Sequence, residues 1–225
     1  MSDGLLIKAR LGSPLAGDPP QLDGLLIDQL CLFQGYRRFG RNDPLPADSD
    51  SIRIPIAHSM FGGVNVPLAS SPIFAAVAGT DRHEHVVKKL AVEYADMLAP
   101  ERRLKIAVGG GDFKSYRLPL RVRLVPVVAW FAIGDRRTVL KVVRRVRAIG
   151  HKRSIGYGRV AEWTVDRIDA DYSWFAPSER GPVLMRPLPE AGRFPAGLIG
   201  ARPDFVAVKS PYWHPDRYME AMVPC

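Results

Sequence analysis

Between His151 and Arg159 the chain reads HKRSIGYGR, and these are residue types that hold a phosphodiester. Lys152, Arg153 and Arg159 supply cations and Ser154 a hydroxyl, while Tyr157 offers an aromatic face. Gly156 and Gly158 let backbone pass close to a ligand. An arginine fork donates in pairs to phosphate oxygens, and a base stacked on an aromatic ring contributes about 1–3 kcal/mol. Nucleic acid is the ligand that would use cations, ring and close backbone together. Glycine spacing alone does not decide this, because a helix-to-strand turn with a solvated basic rim uses the same residues. It is not a dinucleotide fingerprint, which follows a strand rather than a helix.

Other residues offer related chemistry. GGGDFKSYR, 109–117, combines glycines with Lys114, Tyr116 and Arg117, as a finger against nucleic acid or as a plain linker. Tyr36, Arg37, Arg38 and Arg41 form a smaller aromatic-basic group. His58, followed by Ser59, is the best general base for an RNA-cleaving site, with Tyr157 or Lys152 assisting. His151 suits phosphate contact. His83 and His85, at the start of an expected helix, would point apart, whereas a helical metal pair sits four residues apart. Trp213 in SPYWHP is an anchor for the tail or a stacking platform. No nucleophile elbow, phosphate-binding lysine loop or zinc-ligand spacing occurs, so neither metal nor cofactor is expected.

The elements that must position these residues follow from periodicity. Val139, Val142, Val143, Val146 and Ile149 recur at helical spacing, leaving Arg137, Lys141, Arg144, Arg145 and Arg147 on the remaining surface of a cationic helix. Gly150 suits its end, and Arg159–Ile168 reads as the next strand. Upstream, Leu5–Leu11 reads as a strand and Leu22–Phe33 as a helix with Asp23 and Asp28 on its polar side. Ile52–His58 and Val64–Val77 read as extended, Asp81–Leu98 as a helix, and Leu120–Ile133 as a single strand. The order predicts an α+β, ferredoxin-like (RRM-like) βαββαβ domain over 1–169. A thumb-like insertion occupies about 79–119, and a proline-rich, irregular C-terminal arm, 170–225, packs on the same domain.

Composition fits a basic globular protein. The 225 residues are 47% hydrophobic, enough for a core. The net charge is +9, and its concentration between Arg102 and Arg159, against an acidic stretch from Asp43 to Asp50, suggests a polyanion-binding face. Two cysteines, Cys31 and Cys225, imply no disulfide framework. With no membrane-length apolar run and no signal-peptide pattern at the start, a cytoplasmic protein without membrane association is expected.

HKRSIGYGRVAEW, in a ferredoxin-like order, resembles the RAMP superfamily of CRISPR-associated proteins. PPQLDGLLIDQL (19–30), GYGRVAEWTV (156–165), LMRPLP (184–189), PYW (211–213) and the closing VPC are similar to the small subunit of type IV CRISPR effector complexes that caps the crRNA five-prime handle. The resemblance implies a non-catalytic crRNA-binding protein that contacts a backbone-filament subunit and a large subunit and meets target nucleic acid through the complex. It assigns RNA contact to Ser154–Arg159; the roles of Lys152, Arg153, Arg144, Arg145, Lys114, Tyr116, Arg117, Arg37 and Arg38 rest on charge and ring chemistry. A metal-independent crRNA-processing endoribonuclease of the same superfamily, with His58 as base, is the alternative.

Overall fold

Strand β1 (Asp3–Leu11) alternates strictly: Leu5, Ile7 and Ala9 are fully buried while Leu6, Lys8 and Arg10 face the other way. In the computed structural model, which describes residues 3–34, 52–89 and 114–225, β1 is a central strand of the main sheet. It pairs antiparallel with β8 (Val127–Gly134) on one side and β9 (Val160–Ile168) on the other. The short β5 (Ile73–Phe74) adds to β8, giving the order β5-β8-β1-β9 with every pair antiparallel.

Helices α1 (Leu22–Gln34) and α2 (Arg136–Val143) cover one face of this sheet. Leu22, Leu25 and Leu26 of α1, and Val139, Val142 and Val143 of α2, pack with Leu5, Ile7, Val128, Trp130, Trp163 and Val165 in one core. Each such aliphatic side chain contributes about 1.5–3 kcal/mol by leaving water. Two tryptophans stack at its centre, Trp130 on Trp163, with centroids 5.8 Å apart. Trp130 Nε1 donates to the Pro20 carbonyl and Trp163 Nε1 to that of Val146, so neither indole is left unpaired. Asp135 caps α2 by accepting from the Thr138 amide at 2.8 Å, as an N-cap aspartate does. The cationic helix, expected to run to Ile149 with Gly150 past its end, stops at Val143 with Arg144 as its C-cap. Val146 and Ile149 are buried from the turn that follows, so the apolar stripe holds although the helix is shorter.

Asp81–Leu98 is not helical over its described part, because β6 (Arg82–Lys88) is a strand. It pairs antiparallel with β7 (Tyr116–Arg123), which also pairs with β2 (Leu15–Ala16) in a three-stranded ribbon sheet. The helical stripe read through Val87 and Leu90 yields to the period-two alternation of Glu84 and Val86 against His83, His85 and Val87. His83 and His85 therefore share a face instead of pointing apart. Leu120–Ile133 is two strands, since Leu124–Pro126 breaks it and sends β7 to the ribbon while β8 stays in the main sheet.

The tail is not irregular. It forms β10 (Phe175–Ala176), β11 (Val183–Leu184), β12 (Leu188–Pro189), β13 (Ala201–Ala207) and β14 (Tyr218–Pro224). The last three make a sheet in the order β12-β14-β13. The hairpin of β3 (His58–Phe61) and β4 (Val64–Pro67) joins this region: Phe61, Val64 and Val66 pack with Trp174, Phe175, Leu184, Leu188 and Phe194 in a separate apolar cluster. Of the prolines that suggested irregularity, Pro189 and Pro203 lie in the outer strands β12 and β13, Pro224 ends β14, and the others fall between strands. The architecture is α+β, with mostly antiparallel sheets and, among the described residues, two α-helices.

Candidate nucleic-acid interface

The loop from Gly150 to Arg159 leaves α2 and folds back on the segment from Ser13 to Gly17. The His151 amide donates to the Ala16 carbonyl at 2.8 Å and the Gly158 amide to that of Pro14 at 2.8 Å. Ser13 Oγ bridges the loop's end, donating to the Gly156 carbonyl and accepting from the Arg159 amide, both at 2.8 Å. A 3-10 turn, Arg153–Ile155, forms the tip, where the Ile155 and Gly156 amides bond back to the Lys152 and Arg153 carbonyls. These amides are already committed to protein acceptors, so they form no open phosphate cradle.

The two glycines serve different ends. Gly158 is buried at φ +63°, and a Cβ there would lie 1.8 Å from the Ile149 carbonyl oxygen. Its lack of a side chain is needed by the protein itself, not by a ligand. Gly156, at φ +99°, faces open space. Lys152 has φ +53° and is the only non-glycine residue with positive φ among the described residues. That conformation costs roughly 1–2 kcal/mol for a residue with a Cβ, a cost met more often at functional sites than elsewhere.

Cations surround this tip. Arg153 and Arg159 are exposed and Lys152 half-buried, with Ser154 exposed between them. Arg137, Lys141, Arg144, Arg145 and Arg147 are exposed on α2 and the turn after it. The Ala148–Arg159 bridge, with the Val160 amide bonded to the Arg147 carbonyl, places the end of that turn beside the start of β9. Arg147 and Arg159 are thus brought side by side, with Arg144 just upstream and exposed Arg153 on the loop between them.

Tyr157 is not a free stacking platform. Its ring is half-buried against Ala16, Leu120 and Val122, and its hydroxyl donates to Glu84 of β6. That bond to the Glu84 carboxylate, with partial desolvation, holds the phenol above its usual range. Glu84 is also 2.7 Å from Arg82. The contact docks the β6–β7 ribbon onto the glycine loop. Arg117 lies on the ribbon with Nη2 3.4 Å from His85 Nδ1, Tyr116 is half-buried opposite Lys88, and Lys114 is exposed just before β7. Arg37 and Arg38 lie outside the described residues, as do Tyr36, Arg41 and Gly109–Gly111.

His58 stands apart from the loop. It lines a cleft of about 170 Å³ with Asp23, Asn65, Pro67 and Lys209, which includes neither Lys152 nor Tyr157. The residue is exposed on β3, yet the cleft walls desolvate its imidazole enough to lower its pKa. Asp23 and a backbone hydrogen bond at Ile56 oppose that shift, and Arg186 and Lys209 add to it. Among the described residues no group of three or more His, Cys, Asp or Glu side chains is arranged to hold a metal ion. No described helix is long and apolar enough to cross a membrane.

Sequence reasoning missed a buried polar network behind this surface. Asp23, placed by periodicity on the solvent side of α1, is 2% exposed, and Arg186 is fully buried. Arg186 donates to the carbonyls of Pro67, Ala69 and Val208 and to the Tyr212 hydroxyl. Tyr212 donates in turn to the Asp23 carboxylate, which also accepts from the Ser210 amide. Burial and the neighbouring Asp23 carboxylate push the Tyr212 phenol well above its usual range. A lone arginine inside the tail's LMRPLP gives no sequence signal of this role.

Comparison with curated proteins returned no match to this sequence. The model of the family described as CRISPR type IV associated protein Csf3 matches residues 72–224. The match takes in β6 and β7 of the ribbon, the cationic helix, the glycine loop and the tail, but neither β1 and β2 nor the 19–30 segment that contributed to the resemblance. With most of its length matched, the chain belongs to the Csf3 family of type IV CRISPR-associated proteins.

Proposed function

We propose that this protein is a non-catalytic crRNA-binding subunit of a type IV CRISPR ribonucleoprotein effector complex, acting in the cytoplasm. It grips the five-prime handle of the guide RNA and contacts the backbone-filament and large subunits, and it meets target nucleic acid only through the complex. The observation that carries this reading is the run of exposed cations along α2, the turn after it and the glycine loop, with Arg147 beside Arg159, in a chain of this family. Arg144, Arg145, Lys152, Arg153 and Arg159 hold phosphates, Ser154 and the unobstructed Cα of Gly156 pack against the RNA, and Gly158 shapes the loop from within. Lys114, Tyr116 and Arg117 extend the contact along the ribbon, and Arg37 and Arg38 belong to the same proposal. Backbone grip of this kind leaves sequence reading to base pairing.

The fold supports the same reading. Taking β1, β5, β8 and β9 as first to fourth, the sheet order is second, third, first, fourth, with both helices on one face. That is the strand order of the ferredoxin-like βαββαβ domain, and it favours RAMP-type ancestry. The purified chain incubated with labelled repeat RNA at low salt tests the proposal: tight binding with the RNA left intact is expected, and absence of binding overturns it.

One observation favours a second reading, the metal-independent crRNA-processing endoribonuclease. His58 has a lowered pKa and lines a polar cleft with Asn65 and Lys209, so a neutral imidazole is available as a base. Specific cleavage of repeat RNA in the presence of a chelator, lost in His58→Ala, would establish this reading in place of the first.

A further inference from the structure

The structure points to a second feature beside the glycine loop, and we propose that it is a pocket for a single unstacked nucleobase. The cleft lies between α1, the start of the loop and the segment Ser210–Trp213, and encloses about 570 Å³. That lies within the roughly 300–1,000 Å³ of small-ligand sites. Leu25, Ile27, Pro211 and Trp213 give it apolar walls, while His151, Arg153 and the carboxylate of Asp28 are among its polar lining.

Trp213 is the observation that decides the ligand class. Trp130 and Trp163 are buried in the core and Trp174 is half-buried with its indole donating to the Pro67 carbonyl, whereas Trp213 is 42% exposed. Its ring is held rather than loose. His214 packs edge-on against it with centroids 5.5 Å apart, and the adjoining Ser210 and Tyr212 are tied to buried Asp23. A flat aromatic ligand that carries an anion a few bonds away fits a fixed indole, apolar walls and an arginine in the lining, with the Asp28 carboxylate there as an acceptor for a base edge. A nucleotide within single-stranded RNA has that chemistry: the base enters the cleft and its phosphate meets Arg153. Tyr157, with its ring packed inward, leaves the stacking role to Trp213.

This inference rests on the proposed RNA-binding function, and the experiment separates the two. Trp213 is the most exposed of four tryptophans, and the emission lost in Trp213→Ala isolates its share, so quenching of that share reports the cleft. Single-stranded oligoribonucleotides should quench it on binding; a mononucleotide quenching as tightly as an oligomer would assign the cleft to free nucleotide and overturn the RNA pocket. Trp213→Ala should weaken oligomer binding about 5- to 100-fold, with Trp213→Phe retaining most of the affinity. Gly24→Leu supplies a second variant, since a Cβ there meets the Tyr212 ring at an ordinary 3.6 Å and a longer side chain fills the cleft. It should weaken binding similarly while leaving the cationic loop intact. RNA bound with full affinity by Trp213→Ala and Gly24→Leu, without quenching of the wild type, overturns the pocket and leaves the RNA-binding function standing. Absence of RNA binding by the wild type overturns both.

Discussion

Asp23 of α1 and Arg186 of the tail approach to 3.9 Å with almost no exposure, and the Tyr212 hydroxyl bonds to both. The pair joins the first helix to the last third of the chain, and it holds the segment that carries Trp213. A buried charge left without its partner is far costlier than the pair is stabilising. Arg186→Met should therefore destabilise the protein by about 3–5 kcal/mol. Tyr212→Phe, which strands one acceptor and one donor, should cost about 1–3 kcal/mol. Urea unfolding of both variants checks the order; an Arg186→Met protein as stable as wild type would show the network to be incidental.

The same network sets an alkaline limit. The Tyr212 phenol is held well above its usual range, so above about pH 10 the unfolded chain releases a proton that the folded one keeps. The stabilisation is fully present below that pH and is lost as pH rises through the folded-state value. Phenolate absorbance should show Tyr212 titrating only as the protein unfolds. Tyr212→Phe should make stability less dependent on pH above 10.

The two loop glycines should respond differently. Gly158→Ala meets both a left-handed backbone and the Ile149 carbonyl, so it should lower stability by more than the roughly 1–2 kcal/mol that φ alone imposes. Gly156→Ala, with open space around it, should cost no more than that. Thermal unfolding distinguishes them, and equal losses would show that the Ile149 contact relaxes freely.

Lys152 offers the converse substitution. Replacing it by glycine relieves its positive φ and should raise stability by about 0.5–1 kcal/mol after the extra freedom of unfolded glycine is counted. The same change removes a cation from the proposed interface and should weaken RNA binding at low salt. A variant both more stable and weaker in binding is the signature of a residue strained for function; unchanged binding would make the strain purely structural.

Local pattern made much of this legible and long-range pairing hid the rest. The alternation of Leu5, Ile7 and Ala9 and the valine stripe of α2 each encode one buried face, and both are where sequence places them. The β6–β7 ribbon was hidden because His83–Lys88 carries a weak alternation whose meaning depends on a distant partner strand. The tail's strands were hidden by their brevity and their prolines. Asp23 illustrates a deeper limit: an aspartate on a helix reads as solvent-facing unless its buried donors, Arg186, Tyr212 and the Ser210 amide, are known to converge on it from the far end of the chain. At the loop, residue types pointed to the cations, but only the fold shows that Tyr157 is turned to Glu84 and that Gly158 is required by Ile149.

The salt dependence of RNA affinity tests the central claim most directly. Binding of repeat-derived RNA, followed by fluorescence anisotropy across a salt series, should give a steep linear fall of log K with log salt concentration. Arg153→Ala with Arg159→Ala should reduce that slope by about one unit per lost contact and weaken binding at low salt. An unchanged slope and affinity in the double variant would contradict the placement of the guide RNA on this loop.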